Sequence, residues 1–423
     1  MKLIEYEELN EKLYTEHLPN GLPVFVIPKP GFHKKYAFFA ANYGGVDRRF
    51  KLSDTWIDTP AGVAHFLEHK MFDTKDGNAL ELLSANGATP NAYTSTDVTA
   101  YHFECIDRFS ENLEILLDFV ITPYFSPESV EKEQGIITQE INMIEDDPGY
   151  CLYYGLLKSL FKNSPVRDSV AGSIESIKEI TTDILYDCHK VFYAPSNMAL
   201  CVVGDVDPSE VIDITQRILS DEPGIVPKRD YGKPELFTPE IFNVEKSMDV
   251  SLPLFLAGCK VTPATNGQEL LWLEIVSAIA LEMLCGHSSS FFIRLYSDGL
   301  INADFSASFD SAADVAYTMF GGETREPGRV FKEVKNEIQR FLTQGPDMAL
   351  FERIKKAAIG SHIRALNSFG VLASSVVEGH FRGFDSYHAP VILSKITIDD
   401  ITGFIRENLI SDNMAISVIN PQS

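Results

Sequence analysis

The chain has 423 residues, too many for one average hydrophobic core, so two or three domains are expected. Hydrophobic residues make up 45% and charged residues 23%, the balance of an ordinary globular protein. The net charge of −24 argues against nucleic acid, which would attract a basic face. Two interpretations of the charge stay open: a well-solvated acidic surface, or a preference for basic peptides.

The N-terminus and the cysteines predict a cytoplasmic protein. The first residues are acidic and show neither an apolar core nor a small-residue cleavage site, so we expect no secretory signal. The most apolar segment, 275–284, is short and contains Glu282, so we expect no membrane span. The six cysteines are scattered without a Cys-x-x-Cys pair, which is typical of buried thiols in a reducing compartment.

Hydrophobic periodicity predicts mixed strands and helices along the whole chain. In the first half we predict strands at 24–27, 36–42, 98–105 and 198–203, with amphipathic helices between and after them. In the second half we predict strands at 250–257, 303–309, 313–320 and 414–419 and helices at 327–342 and 348–366. Because strands and helices do not alternate strictly, we expect an α+β fold rather than a doubly wound one.

The segment His-Phe-Leu-Glu-His at 65–69 carries the densest chemistry. Thr59 and Pro60 form an N-cap and first-turn pair, so we expect a helix here, on which His65, Glu68 and His69 share one face. Two imidazoles at i and i+4 can chelate zinc, and the carboxylate beside them can act as a base. The order is the inverse of His-Glu-x-x-His. The alternative is a helix whose polar side happens to collect these residues.

A second helix, opened by Ser-Pro at 126–127, supplies the third candidate ligand. Glu133, Ile137, Glu140 and Ile144 follow each other at four, three and four residues and form one stripe, which Val130 extends.

Ile136 and Ile141 are expected to widen this buried face. Carboxylates on a buried stripe need a partner, so we assign Glu140 as the third zinc ligand and Glu133 as the residue that orients a ligand histidine. Glu145 competes with Glu140 but lies about 140° round the helix. A buried ion pair with Lys or Arg is the alternative for both glutamates.

An internal repeat divides the chain. Ile-Thr-x-Asp and Asn-Met-Ala motifs recur from Ile180 to Ile396 and from Asn197 to Asn413, 216 residues apart in each case, which indicates a duplicated domain. A segment rich in proline, glycine and charge at 221–238 marks the boundary. We predict a zinc-binding domain at 1–225, a linker at 226–240 and a second domain of the same fold at 241–423.

The second copy lacks a metal site. The repeat places Leu281 at the position of His65, and no histidine lies in 275–284, so one zinc per chain is expected. Manganese and cobalt remain alternatives to zinc. Elsewhere, His102 and His189 are interpreted as structural histidines.

Together these motifs resemble the pitrilysin/insulinase family of zinc peptidases, in particular its half-size bacterial members. The matching segments, which are dense over residues 17–210 and thinner beyond, are Asn-Gly-Leu-Pro-Val at 20–24, the zinc helix with its flanks at 62–72, Asn-Ala-Tyr-Thr at 91–94, Glu-x6-Glu at 133–140, Gly172, Tyr193, Asn197 and Gly-Asp at 204–205.

The resemblance implies two similar α+β domains, each a mostly antiparallel sheet packed with helices in the LuxS/mitochondrial processing peptidase-like arrangement, forming half of a clamshell. It implies zinc bound by His65, His69 and Glu140, with Glu68 as general base. It further implies that Asn91 and Ala92 lie on an edge strand that pairs with an extended peptide substrate. Half-size members work as dimers, so we expect a homodimer or a heterodimer with a paralogue that lacks zinc.

One family feature is altered. The family's second domain usually carries an Arg and a Tyr that help to hold substrate. The similar stretch here is 293–302, where Arg294 fits the Arg position only with a one-residue shift and Tyr296 is the nearby tyrosine. Both are candidate substrate-binding residues; the plain interpretation makes them surface or packing residues. An active endopeptidase that cleaves peptides or a small protein precursor and a non-catalytic scaffold subunit are therefore the two functional hypotheses.

Overall fold

The computed structural model describes residues 1–75, 77–222, 224 and 226–422. The strands before residue 226, the first half, are β1 (Lys2–Tyr6), β2 (Glu11–His17), β3 (Pro23–Pro28), β4 (Lys35–Ala41), β5 (Arg49–Leu52), β6 (Thr55–Asp58), β7 (Asp73–Thr74), β8 (Gly77–Asn78), β9 (Thr89–Thr94), β10 (Thr99–Cys105) and β11 (Met198–Gly204). The helices there are α1 (Val63–Met71), α2 (Ala79–Ala85), α3 (Phe109–Ile121), α4 (Pro127–Glu145), α5 (Pro148–Leu160), α6 (Ile174–Lys178), α7 (Thr182–Phe192) and α8 (Pro208–Ile218).

The second half, from residue 226, has fewer strands and longer helices. Its strands are β12 (Asn243–Met248), β13 (Leu254–Val261), β14 (Ser306–Ala312), β15 (Val315–Glu323) and β16 (Ala415–Pro421). Its helices are α9 (Gly267–Cys285), α10 (Ser290–Ser297), α11 (Pro327–Gln344), α12 (Met348–Ala365), α13 (Phe369–Arg382), α14 (Ala389–Lys395) and α15 (Ile398–Asn408).

Five strands of the first half's large sheet, β3 and β11 with β4, β10 and β9, share the topology of the second half's large sheet. Within the described residues the large sheets run β1-β2-β3-β11-β4-β10-β9 and β12-β16-β13-β15-β14. In each sheet the only parallel pair is the equivalent one, β3 with β11 and β12 with β16. The last strand of each half in chain order, β11 or β16, follows a helix capped by a threonine, α7 or α15. The predicted α+β fold of two similar, mostly antiparallel domains is confirmed.

Each large sheet receives a helix from the other half. Helix α13 lies on the outer face of the first sheet, where Leu372 and Val377 join a buried cluster with Phe25 and Phe38. Helix α5 packs in the same way on the second sheet, where Leu156 meets Tyr317. The second sheet's other face is covered by its own helices, including α9. Each large sheet is therefore covered by chain from both halves.

The predicted linker is tied to the first half by polar contacts. Arg229 Nε lies 2.7 Å from Asp47 Oδ1, and the Tyr231 hydroxyl donates to the same carboxylate at 3.1 Å. Glu235 accepts hydrogen bonds from the backbone N–H groups of Lys162 and Ser164. Along the chain, the strands of the two large sheets lie before and after the predicted linker. The residue boundaries of the domains stay a prediction, and Ile225, the predicted end of the first domain, lies outside the described residues.

Three strand predictions in the second half are misplaced. The predicted strand at 250–257 is interrupted at Pro253, which lacks a backbone donor; β12 ends before it and β13 begins after it. The strands predicted at 303–309 and 313–320 begin later, as β14 and β15, because the chain reverses at Ala313, whose φ is 52°.

No single helix in the described residues is long and apolar enough to cross a membrane; only the bent pair α9 and α10, taken together, meets the length and composition criteria.

Candidate metal centre

Helix α1 is positioned by a close approach of two loops. Gly62 caps the helix with φ 93°, and a Cβ there would lie 2.7 Å from the carbonyl oxygen of Ala171. Gly172 (φ 79°) faces the carbonyl of Ala61 in the same way. The helix predicted at 65–69 is confirmed, but the predicted cap at Thr59 is wrong: its hydroxyl donates to the carbonyl of Arg48 instead, and the helix begins four residues later.

Helix α4 begins where the sequence predicts. Ser126 caps it with a reciprocal bond to Ser129, and the helix ends at Glu145. Val130, Ile137 and Ile141 are buried as expected, whereas the prediction for Ile136 is wrong, since it is 44% exposed. The residue lies about 40° from Glu140 on the side turned toward solvent, so helical spacing alone did not identify the edge of the buried stripe.

The candidate ligands converge across these two helices. His65 Nε2 lies 3.5 Å from Glu140 Oε1, and His69 Nε2 lies 3.6 Å from Glu140 Oε2. Among the described residues this is the one cluster of three or more His, Cys, Asp or Glu whose ligand atoms lie within 4.8 Å of one another. Tetrahedral zinc with bonds of about 2.0–2.2 Å separates its ligand atoms by about 3.3–3.6 Å. The spacing therefore fits a zinc ion.

The charges of the cluster also fit a cation. Burial, and then the neighbouring His69, lower the pKa of His65 to about 4, so its imidazole is neutral at pH 7 and keeps a lone pair for a metal. Within the described chain, the ion-pair partners of Glu140 are the two histidines, with no Lys or Arg among them. Nitrogen and oxygen donors of this kind suit zinc and also accept manganese or cobalt.

Glu133 lies behind His69. Its Oε1 is 3.0 Å from His69 Nδ1, so the other ring nitrogen, Nε2, points toward Glu140. Burial lowers the pKa of His69, but the bond to Glu133 and the nearby carboxylates outweigh it and raise the pKa above its ordinary value. The alternative predicted for Glu133, a buried ion pair with Lys or Arg, also holds in part, because its Oε2 lies 3.9 Å from the Nζ of Lys70. The Lys70 side chain is 1% exposed and also pairs with Asp73.

Glu68 sits beside the cluster and is 8% exposed. Burial raises its pKa, against the opposing effects of a 2.9 Å hydrogen bond from the Thr94 hydroxyl and of His69. A buried carboxylate with a raised pKa beside a metal cluster has the properties of a general base. The sequence analysis assigned no role to Thr94. The available signal was its position two residues after Ala92 on one strand, which places the two side chains on the same face.

Asn91 and Ala92 lie on the edge strand β9. They pair with His102 and Tyr101 of β10, and no described strand pairs with the other edge of β9. Asn91 Oδ1 accepts a hydrogen bond from the backbone N–H of Ala92. Apart from this N–H, which the Asn91 side chain occupies, the outward backbone groups of β9 have no strand partner among the described residues.

Arg294 and Tyr296 lie on α10 in the second half. Arg294 pairs with Glu333 at 2.8 Å, and the Tyr296 ring stacks on Phe292. Both contacts lie within the second half. Their role in substrate binding stays a prediction.

The two structural histidines occupy packed positions. His102 lies among the rings of Tyr36, Phe38 and Tyr93. His189 Nε2 bonds the carbonyl of Val120 at 3.0 Å, and burial lowers its pKa to about 4.

Comparison with known proteins identifies the family. A family model described as "Insulinase (Peptidase family M16)" matches residues 57–173, and one described as "Peptidase M16 inactive domain" matches residues 179–358. The chain is 38% identical over 436 aligned residues to the uncharacterized zinc protease YmfH of Bacillus subtilis, with 100% of both chains covered.

Solved structures agree with this result. A putative M16-like peptidase from Alicyclobacillus acidocaldarius matches with a TM-score of 0.93 and 33% identity, over 97% of this chain and 99% of that one. Pitrilysin, at 15% identity and a TM-score of 0.78, shares the fold over 100% of this chain and 46% of its own, so the chain corresponds to half of that clamshell. The chain belongs to peptidase family M16, the insulinase family.

Proposed function

We propose that the protein is a zinc-dependent endopeptidase that hydrolyses peptides or a small protein precursor. The observation that carries the proposal is the convergence of His65, His69 and Glu140 beside the buried Glu68. The names of the relatives support it, since several are called zinc proteases. We assign one zinc per chain to the three ligands, with Glu133 orienting His69.

The chain's own residues divide the chemistry among them. When bound, zinc supplies a Lewis acid that makes water more acidic and polarises a peptide carbonyl. Glu68 accepts the proton of the attacking water and returns it to the departing amine nitrogen, for which its raised pKa is suited. Thr94 fixes the orientation of the Glu68 carboxylate through its hydroxyl.

The free edge of β9 is the proposed binding surface for substrate. An extended peptide would add to the sheet there by backbone hydrogen bonds at Asn91 and Ala92, a mode that demands little of the substrate's sequence. Arg294 and Tyr296 are retained as candidate contacts from the second half. The proposal includes a cytoplasmic location and a homodimer or a heterodimer with a paralogue that lacks zinc.

The decisive variant is Glu68→Gln. We expect it to keep stoichiometric zinc, measured by elemental mass spectrometry, and to lose cleavage of a peptide library by about 10²- to 10⁴-fold. Glu131→Gln, an exposed substitution on α4, serves as the control and should match the wild type in both measurements. Retained cleavage in Glu68→Gln would remove Glu68 from the role of base.

A scaffold subunit is the second candidate. The match of residues 179–358 to the family description "Peptidase M16 inactive domain" leaves it open, since that description names a domain without activity. The complete set of His65, Glu68, His69, Glu133 and Glu140 speaks against it. Purified protein without stoichiometric zinc and without cleavage in the presence of its copurified partners would establish the scaffold.

A further inference from the structure

Helix α13 reaches the candidate active site from the reverse side of the first sheet. Its apolar residues, among them Phe369, Leu372 and Val376, pack on the face of the sheet that is turned away from α1. The helix belongs to the second half, and two polar side chains of its last turns, Glu378 and Arg382, contact β9 and the turn that follows it. Polar side chains at that end therefore meet the strand that is proposed to pair with substrate.

One contact is made to β9 itself. The Tyr93 hydroxyl donates to Glu378 Oε1 of α13 at 3.0 Å. Successive residues of a strand point to opposite faces, so Tyr93 faces α13 while Thr94 faces α1 and donates to Glu68. Strand β9 is thus fixed on one face to the proposed base and on the other to the second half.

A second contact is made to the turn that follows β9. Arg382, one helical turn after Glu378, places its Nε 3.5 Å from Asp97 Oδ2. The same guanidinium donates to Glu274 of α9 at 2.8 Å and to the carbonyl of Ser311 on β14. Arg382 therefore links the turn between β9 and β10 to two elements of the second half.

The charges at this junction are unbalanced. Arg382 faces Asp97, Glu274 and Asp310 as well as Glu378, and burial raises the pKa of the last three carboxyls. Crowded, half-buried carboxylates are not what packing alone would favour. Their arrangement does give acceptors to Tyr93 and to Arg382, the two side chains that connect with β9 and its turn.

An edge strand needs such support. Strand β9 has a hydrogen-bonded neighbour on one side only, β10, and edge strands are less constrained than central ones. A peptide that adds to the free edge binds in the correct register only if β9 keeps its position relative to Glu68.

We propose that Glu378 and Arg382 are positioning residues, by which helix α13 of the second half holds edge strand β9 in place for substrate. The expected change in KM rests on the proposed function, whereas the support of β9 by α13 does not. The support acts equally on bound substrate and on the transition state, so its loss raises KM and leaves kcat nearly unchanged.

The test uses Tyr93→Phe and Glu378→Ala in the full chain with its zinc. Each is expected to raise KM for a cleaved peptide about tenfold, with kcat within about twofold. The double variant should be no worse than either single one, because both remove the same bond. Glu378→Gln keeps an acceptor oxygen and should restore a KM near that of the wild type. The control is Tyr36→Phe, the same change on the same sheet face beside Gly370 of α13.

Hydrogen exchange gives a readout that does not depend on catalysis. The amides of residues 89–98 should exchange faster in Tyr93→Phe, Glu378→Ala and Arg382→Ala than in the wild type, and at the wild-type rate in Tyr36→Phe. Unchanged exchange, additive effects in the double variant, or faster exchange with an unchanged KM would each overturn the inference. If the wild type cleaves no peptide, the proposed function fails, while exchange still decides whether α13 holds β9.

Discussion

Substitution of Glu133 should weaken zinc binding although Glu133 is not a proposed ligand. Its carboxylate bonds Nδ1 of His69 at 3.0 Å and so fixes which nitrogen faces Glu140. The negative charge also makes the imidazole a stronger donor to a metal. Glu133→Gln keeps the shape and an acceptor oxygen but removes the charge, whereas Glu133→Ala removes the bond entirely.

The expected loss follows from the environment of this bond. A hydrogen bond to a charged group contributes about 1.5–3 kcal/mol when it is largely buried. The Glu133 side chain is 13% exposed, so solvent screens it little. Glu133→Gln should therefore cost about tenfold in zinc affinity and Glu133→Ala about a hundredfold, the range found when such supporting residues are removed.

The measurement is a competition titration of apo protein against a chromophoric zinc chelator at pH 7.5. Glu131→Gln on the exposed side of α4 provides the control and should bind zinc like the wild type. Thermal melts of the apo proteins separate lost affinity from lost stability, since Lys70 keeps Asp73 as a partner in every variant. Zinc affinities within twofold of the wild type in both Glu133 variants would refute the role assigned to Glu133.

Three further predictions concern stability and the metal. Leu372→Ala should lower the free energy of unfolding, measured in urea, by about 2–5 kcal/mol. The control Val371→Ala, at a residue that is 50% exposed on the same helix, should lower it by no more than about 0.5 kcal/mol. Equal losses would contradict the packing of α13 on the first sheet. Zinc at a hundred times its Kd should stabilise the wild type by about 2.7 kcal/mol in thermal melts and should stabilise His69→Ala far less; a zinc-insensitive wild type would argue against the metal site. Gly44→Ala would place a Cβ 2.4 Å from the backbone of the turn between β9 and β10, so it should lower the free energy of unfolding by about 1–3 kcal/mol. The control Gly360→Ala in α12 should be neutral or stabilising. An unchanged free energy of unfolding in Gly44→Ala would show that the turn can move.

Local spacing was enough to predict most of the candidate site. His65, Glu68 and His69 share a face because a helix repeats every 3.6 residues, and the seven residues from Glu133 to Glu140 make two turns of α4. The repeat at 216 residues predicted the duplicated sheets for the same kind of reason, since each copy carries its own helix cap and strand. The meeting of α1 with α4 was inferred from the need of buried carboxylates for a partner, and from resemblance.

Local spacing failed where the environment comes from distant chain. Ile136 fits the periodicity of the buried stripe but is 44% exposed, because the packing of α4 against other elements, rather than the period, decides which residues are covered. Thr59 is a residue type that often caps helices, yet the close approach of two loops at Gly62 and Gly172 decides where α1 begins. Thr94 became a candidate only when its hydroxyl was seen on Glu68.

The sequence by itself predicted the proposed ligands, the proposed base, the class of fold and the duplication, because these depend on residue types, on helical or strand periods and on resemblance to a family. Only the tertiary structure decided that α5 and α13 exchange between the two sheets and that Glu378 and Arg382 stand behind the proposed substrate strand. Tyr93 and Glu378 are 285 residues apart, and no local period relates them. Their contact exists because apolar residues of α13 are buried against the first sheet, a choice made by the packing of the whole chain.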